Sequence, residues 1–400
     1  MRSEAMADWG RRLLKRIFAE VSSGGGLRRS NSEGLKVRGF AETANMAKAP
    51  TVKLANGAEM PVIGLGTWKS PRGKTGDAVR AAIKAGYRMI DTANDYGNED
   101  EVGDAIKDMI DEGVVKREEL FIQCKLWNTN HRKDHVKPDL MATLKDLKLD
   151  YVDSFAVHWP QACPATGEAP ALGADGIDPK PRDQPTMFPL EADGMYACDY
   201  DCHFMEAYHA IEDLVDEGLV RGAAISNFNA RQVHEVLENF KKHPPVVLQN
   251  ECHPYFQQKD IVDVCNNNGI VFQSYSPLGS GDRPWARKPG EVELLDDPRL
   301  QEIATAKGKS VAQVVLRWHM DRGITAVPKS ITPSRIATNI DVFDFTLSLE
   351  EMKLFDKLNQ ARRFLMWDPT SLHPDYPFRD DLPFGYKTAQ PLKVAARASK

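Results

Sequence analysis

From Thr51 onward, short apolar runs alternate with longer stretches of helical period, and this alternation restricts the chain to a parallel α/β architecture. The apolar runs are 62–66, 87–91, 120–125, 152–158, 222–226, 246–249, 270–275 and 324–327. Between them lie amphipathic stretches such as 75–85, 138–148, 206–216, 230–241 and 311–322. Several of these stop at a glycine (Gly86, Gly218, Gly323), a common helix terminator. Ahead of the first run, 51–54 and 59–62 flank Asn56-Gly57, which predicts a hairpin with a two-residue turn.

Eight buried strands, each followed by a helix, fit a (β/α)8 barrel, but a doubly wound sheet gives the same alternation. Polar residues separate the two. Asp91, Lys125, His158, Ser226, Gln249 and Tyr275 each stand at, or within one residue of, the end of an apolar run. A barrel gathers all its strand ends around one mouth, where barrel enzymes keep their chemistry. The expected fold is therefore α/β, a (β/α)8 TIM barrel with an N-terminal β-hairpin and long loops at the C-terminal mouth.

The 400 residues allow one such barrel with insertions. A net charge of -5, from 57 acidic and 52 basic residues, gives no sign of a nucleic-acid partner or a polybasic membrane contact. No stretch approaches the ~18 consecutive apolar residues of a membrane helix. Six cysteines in so long a chain argue against a disulfide framework and for a reducing compartment, the cytoplasm by default.

The first 46 residues read as an extension outside the barrel domain of 47–400. Nine basic residues against four acidic ones lie in 1–40, and Leu13, Leu14, Ile17, Phe18 and Val21 recur on one helical face. The segment resembles a mitochondrial presequence, with Arg38-Gly39-Phe40-Ala41 resembling a processing site. A disordered extension, with Met46 as the conventional start, is the alternative.

In Met89-Ile-Asp-Thr-Ala-Asn-Asp-Tyr-Gly-Asn-Glu99, an acid ends the second strand and Tyr96 follows five residues later. Lys125 ends the third strand and His158 closes the fourth. Singly, each has an ordinary structural explanation; at one barrel mouth they form a set for proton supply. Hydride addition to a carbonyl leaves an alkoxide that needs a proton, and a free tyrosine, with a pKa near ~10, is a reluctant acid. Lys125, held by Asp91, is expected to lower the Tyr96 pKa. His158 would donate a hydrogen bond to the carbonyl oxygen.

These four residues resemble the tetrad of the aldo-keto reductases, nearest the aldehyde and aldose reductase group. The resemblance runs from about Thr51 to about Phe378. It is carried by Gly64-Leu-Gly-Thr-Trp68, the Asp91–Glu99 stretch, Lys125-Leu-Trp127, His158-Trp-Pro160, Ile225-Ser-Asn-Phe-Asn229, Gln249-Asn-Glu-Cys-His-Pro-Tyr255, Tyr275-Ser-Pro-Leu-Gly279 and Val327-Pro-Lys-Ser330. It implies NADPH-dependent reduction of aldehydes and some ketones, a small-molecule carbonyl substrate and a monomer.

A Rossmann site is not supported, because Gly64-x-Gly66 lacks the third glycine and Gly24-Gly25-Gly26 follows no strand. By the resemblance, NADPH lies extended across the mouth. Tyr275 would stack on the nicotinamide, with Ser226, Asn227 and Gln249 on its carboxamide and Thr67 and Trp68 on the wall. Ser276, Leu278 and Ser280 would follow the pyrophosphate. Lys329, Ser330 and Arg335 would clamp the 2′-phosphate, and Asn339 would sit near the adenine. Thr338 stands where the family usually has an acidic residue, so one adenine contact is not carried over.

Trp68, Trp159, Tyr208 and Trp285 are the candidate substrate wall, with the tail around 364–367 folding over it. Such a wall favours aryl and alkyl aldehydes. The segment 161–203 is longer than in close relatives and, following the fourth strand, is expected to act as a lid. Its Cys163, Cys198, Cys202 and His203 match no standard zinc spacing, so no metal is expected. Two other readings are a Schiff-base lysine at Lys125 and a non-catalytic relative of the family. An ion-paired lysine stays protonated, which disfavours the first.

Overall fold

The computed structural model describes residues 49–165, 187–192, 195–281, 283 and 292–382. All of them belong to one compact unit, Gly39–Lys400. The extension 1–46 therefore lies outside the described residues.

A short antiparallel pair, β1 (Thr51–Lys53) and β2 (Glu59–Pro61), precedes the main sheet. Its turn is longer than the two residues expected. Leu54 N–H bonds to Ala58 O at 2.8 Å, leaving three residues between, and of these Gly57 alone has positive φ, at 89°. Asn56 has another use: its side-chain NH2 donates to Arg221 O at 2.9 Å and its Oδ1 accepts from Ala58 N–H at 3.1 Å.

The main sheet has eight parallel strands. They are β3 (Leu65–Gly66), β4 (Met89–Asp91), β5 (Phe121–Leu126), β6 (Ser154–Val157), β7 (Ala223–Ser226), β8 (Val247–Glu251), β9 (Val271–Tyr275) and β10 (Thr325–Ala326). Each pairs with its sequence neighbour. The sheet closes on itself where Ile63 bridges Ala326 and Gly66 bridges Lys329, with Gly64 N–H to Ala326 O at 2.9 Å. The chain is a (β/α)8 barrel, as expected.

The helices are α1 (Thr75–Lys84), α2 (Glu99–Asp111), α3 (Lys133–Leu147), α4 (Phe204–Asp216), α5 (Ala230–Asn239), α6 (Lys259–Asn267), α7 (Pro298–Lys307), α8 (Val311–Asp321), α9 (Pro333–Ile340) and α10 (Leu349–Asp356). The expected start at Pro138 is five residues late. Pro138 sits inside α3, which tolerates the loss of one backbone bond. Capping boxes at Asn229/Gln232, Ser310/Gln313 and Ser348/Glu351 start three of the others.

Two apolar layers result. Strand side chains and helix faces form the outer core, from Val79 and Ile106 around to Leu316. A smaller cluster fills the barrel near the strand starts, where Leu54 and Met60 of the hairpin meet Met89, Phe121 and Val247. The hairpin thus plugs one end of the barrel and leaves the other, where strands end in polar residues, open. Among the described residues no helix is long and apolar enough to cross a membrane.

Candidate active site

Asp91 ends β4 and Lys125 lies on the neighbouring β5, both buried. Lys125 Nζ donates to Asp91 Oδ1 at 2.7 Å, to Thr92 O at 3.0 Å and to the Tyr96 hydroxyl oxygen at 3.1 Å. All three ammonium protons therefore have an acceptor. Tyr96 is carried by the 3-10 turn Asn94–Tyr96, whose Asn94 NH2 is clamped on Asp139 of α3 at 2.8 and 2.7 Å.

Beneath this group lies a polar ring that sequence reasoning missed. Gln123 and Gln249 each donate to Asp91 Oδ1, at 2.9 and 2.8 Å, and each donates to Gln273 Oε1 at 2.7 Å. The strand register makes this possible, pairing Asp91 with Gln123 and Gln249 with Gln273. The available signal was a glutamine two residues before the strand-end Lys125 and another two before Tyr275.

The expected lowering of the Tyr96 pKa is not met. Burial first, then the nearby carboxylates of Asp91 and Asp95, hold this phenol well above the usual tyrosine value. Desolvation opposes any charge on the ring, and two anions add to it. Tyr96 is thus a phenol that keeps its proton, with one ammonium placed to receive the charge left behind when the proton is given up. His158 stands across from it, the two rings 5.8 Å apart and edge-on, with Trp127 edge-on to the imidazole at 5.2 Å.

Above the tetrad opens a cavity of about 1880 Å³, larger than the ~300–1,000 Å³ of an ordinary small-ligand pocket. Asp91, Tyr96 and His158 line one end of it; Lys125 lies just below its floor. Of the residues expected at a cofactor, Trp68, Asn227, Gln249, Tyr275, Ser276, Leu278, Ser280, Lys329, Ser330, Arg335 and Asn339 all line this cavity, as does Thr338. Thr67 and Ser226 do not. Their hydroxyls are tied behind it to the carbonyls of Asp91 (3.0 Å) and Gln249 (2.8 Å). Tyr275 OH donates to Asn227 Oδ1 at 2.6 Å, and the Asn227 NH2 donates to His158 O at 2.9 Å. Asn227, Ser276 and Ser280 all take left-handed backbone (φ 63°, 49° and 46°), local strain of a kind that clusters at functional sites.

The donor set suits a long polyanion. Ser276, Ser280, Lys329 and Arg335 all line the cavity, with Lys69 Nζ 3.3 Å from Ser280 Oγ. The chemistry of a dinucleotide, an aromatic ring at one end and phosphates further along, fits these residues.

Of the four residues expected as a substrate wall, the structure brings two to the cavity. Trp68 and Trp159 line the cavity. Tyr208 does not: it points from α4 into the outer core, fully buried, with its hydroxyl on His243 O at 2.8 Å. The face of α4 that packs on the barrel carries Tyr208, and that face is remote from the strand ends. Trp285 lies outside the described residues. In their place stand Trp127, Phe188, Tyr196 and Trp367. Trp127 and Trp367 stack at 5.1 Å, Phe188 meets Trp127 at 5.0 Å, and Tyr196 meets Trp367 at 5.7 Å, both edge-on. Trp127 was legible as the residue two past Lys125; Phe188 and Tyr196 carry no local signal.

Two described residues of the segment expected to act as a lid border the cavity. Phe188 and Tyr196, from 161–203, join Phe364 to Trp367 of the tail over the mouth. His373 and Gln161 fasten the two segments together, through Asp199 O at 3.0 Å and Thr370 Oγ1 at 3.0 Å. Glu251 pins the tail to β8 by accepting from the backbone N–H groups of Phe364 and Leu365.

Residues 62–360 match the model of the aldo/keto reductase family. The chain is 44% identical over 342 residues to aldo-keto reductase family 1 member A1 of Homo sapiens and of Mus musculus, covering 83% of this chain and 99% of each relative. It is 42% identical over 340 residues to member A1-A of Danio rerio, covering 82% and 98%. Among solved structures, the aldose reductase from Schistosoma japonicum superposes with a TM-score of 0.73 at 37% identity, covering 83% of this chain and 99% of that one.

Proposed function

The chain belongs to the aldo-keto reductase family, and on that premise we propose that it reduces aldehydes, and some ketones, to alcohols with NADPH, with Tyr96 as general acid. Carbonyl reduction with a nicotinamide cofactor is the chemistry of the family. One observation carries the finer reading: Lys125 Nζ is within hydrogen-bonding distance of both Asp91 and the Tyr96 hydroxyl, at the floor of a cavity shared with His158.

The residues would divide the work as follows. The cofactor, when bound, supplies a hydride. Trp68, Tyr275, Asn227 and Gln249 would hold its nicotinamide end, and Ser276, Ser280, Lys329 and Arg335 its phosphates. His158 orients the carbonyl oxygen toward Tyr96 and polarises it. Tyr96 then gives its phenolic proton to that oxygen. The phenolate that remains accepts a hydrogen bond from Lys125, whose charge is balanced by Asp91. Trp127, Trp159, Phe188 and Trp367 exclude water and offer flat apolar faces, which favour aryl and medium alkyl aldehydes.

The test is NADPH oxidation by purified protein with glyceraldehyde, nitrobenzaldehyde, glucuronate, xylose and a steroid ketone, ranked by kcat/KM. Nitrobenzaldehyde is expected to lead. Tyr96→Phe should cut kcat by ~100- to 10,000-fold with little change in thermal stability. Undiminished NADPH oxidation by that variant would refute the proposed acid.

A further inference from the structure

Asp95 precedes the acid Tyr96 in the Asn94–Tyr96 turn. Its side chain is only 8% exposed, yet it lines the cavity beside His158. Asp95 Oδ1 lies 3.2 Å from His158 Nδ1. Both atoms are buried, and neither makes an aligned hydrogen bond, to the other or to any other group, so the 3.2 Å contact is one of charge and proximity. A buried carboxylate oxygen and a buried ring nitrogen without other partners are costly unless they serve each other. The clamp of Asn94 on Asp139 restrains the turn, so Asp95 is held facing the imidazole.

We propose that Asp95 is a positioning residue for His158, holding a proton on Nδ1 and favouring the doubly protonated ring, so that Nε2–H faces the substrate carbonyl as a charged donor. This rests on the reductase reading of the same site. A neutral imidazole has one donor and one acceptor, and the partner of one nitrogen dictates the state of the other. With a carboxylate at Nδ1, a neutral ring would turn a bare Nε2 lone pair toward the carbonyl oxygen, which repels it. The cationic ring satisfies both neighbours at once. A charged donor is also roughly twice as strong as a neutral one toward an oxygen gaining negative charge.

The pairing has a second effect, on Tyr96. The Asp95 carboxylate is among the anions that oppose ionisation of this phenol. Matched by an imidazolium, its charge no longer opposes release of the phenolic proton. In the reduction, hydride adds to the carbonyl carbon, the π pair moves to oxygen, and oxygen takes the Tyr96 proton. His158 keeps both of its own protons throughout.

The test uses the full chain labelled with 15N-histidine, as wild type, Asp95→Asn and Asp95→Leu, with His158→Gln to assign the ring signals. The wild type should show both His158 nitrogens protonated at neutral pH, and Asp95→Leu should show one. Asp95→Asn keeps the shape but loses the charge, and its amide serves either neutral tautomer, accepting from Nδ1–H or donating to a bare Nδ1. Both variants lose the charged donor and should lower kcat for aldehyde reduction by about 10- to 100-fold, with NADPH affinity unchanged. A neutral His158 in the wild type would overturn the proposal. So would an Asp95→Asn enzyme with kcat within about twofold of wild type, the result expected of a merely structural contact. If wild type itself fails to reduce any aldehyde, the functional reading falls instead, while the nitrogen signals still report on the pair.

Discussion

Glu251, at the end of β8, accepts a 2.6 Å hydrogen bond from the backbone N–H of Phe364, over a hundred residues later in the chain. Its other oxygen accepts from Leu365 N–H at 2.7 Å, and His253 Nε2 lies 2.9 Å away. A single buried carboxylate thus ties the tail to the barrel.

Glu251→Gln is expected to loosen the tail, because its amide NH2 would confront a backbone N–H. Loss of a charged hydrogen bond should lower stability by about 2–3 kcal/mol. Aryl aldehyde KM should rise more than kcat falls. Burial alone would raise the Glu251 pKa, but His253, Arg363 and the Phe364 N–H outweigh it and hold it below the usual glutamate value. Its stabilisation is therefore full above the unfolded value and lost as pH falls through the folded one. Thermal unfolding against pH should show an acid decline that the Gln variant lacks.

Lys125→Met leaves Asp91 buried without its counter-charge. Stability should fall by about 3–5 kcal/mol and activity by ~100- to 10,000-fold. Adding Asp91→Asn should restore much of the stability and none of the activity. A double variant as unstable as the single one would show that the ion pair is not the cause.

Arg335→Ala should weaken NADPH by about 10- to 100-fold and NADH by less than about twofold, since only NADPH carries the 2′-phosphate. Equal losses, measured by tryptophan-fluorescence titration, would remove Arg335 from the 2′-phosphate site.

Trp367→Ala removes the stacking partner of Trp127 and one face of the aromatic wall. The KM for nitrobenzaldehyde should rise about tenfold while that for a short alkyl aldehyde changes little. A parallel rise for both would mean that Trp367 only seals the mouth.

His131 is buried with neither ring nitrogen bonded, and burial first, then His373 and His158, push its pKa down to about 3 from 6.5. Below about 6.5 the unfolded chain takes up a proton that the folded chain refuses until about pH 3, so folding stability is lost as pH falls through that window. At pH 5 the loss relative to neutrality is about 2 kcal/mol. A His131→Leu protein should show a correspondingly flatter melting temperature between pH 7 and pH 5, checked by calorimetry.

The barrel and the tetrad were legible in the chain because both are local signals. A buried parallel strand declares itself as a short apolar run, and a polar residue at its end must emerge at the mouth. Asp91, Lys125 and His158 are such residues, and Tyr96 follows within one turn. Tertiary structure alone decided the rest. Tyr208 was placed on the wrong side because a helix face says that it is buried, not against what. Gln123 and Gln249 became partners of Asp91, and Gln273 of both, only through strand register and closure of the sheet. Phe188, Tyr196 and Trp367 met Trp127 from segments far apart in sequence, where no local pattern marks a contact. The Tyr96 phenol went up rather than down because burial, the largest cause, is a property of the folded core, and the neighbouring carboxylates of Asp91 and Asp95 add to it.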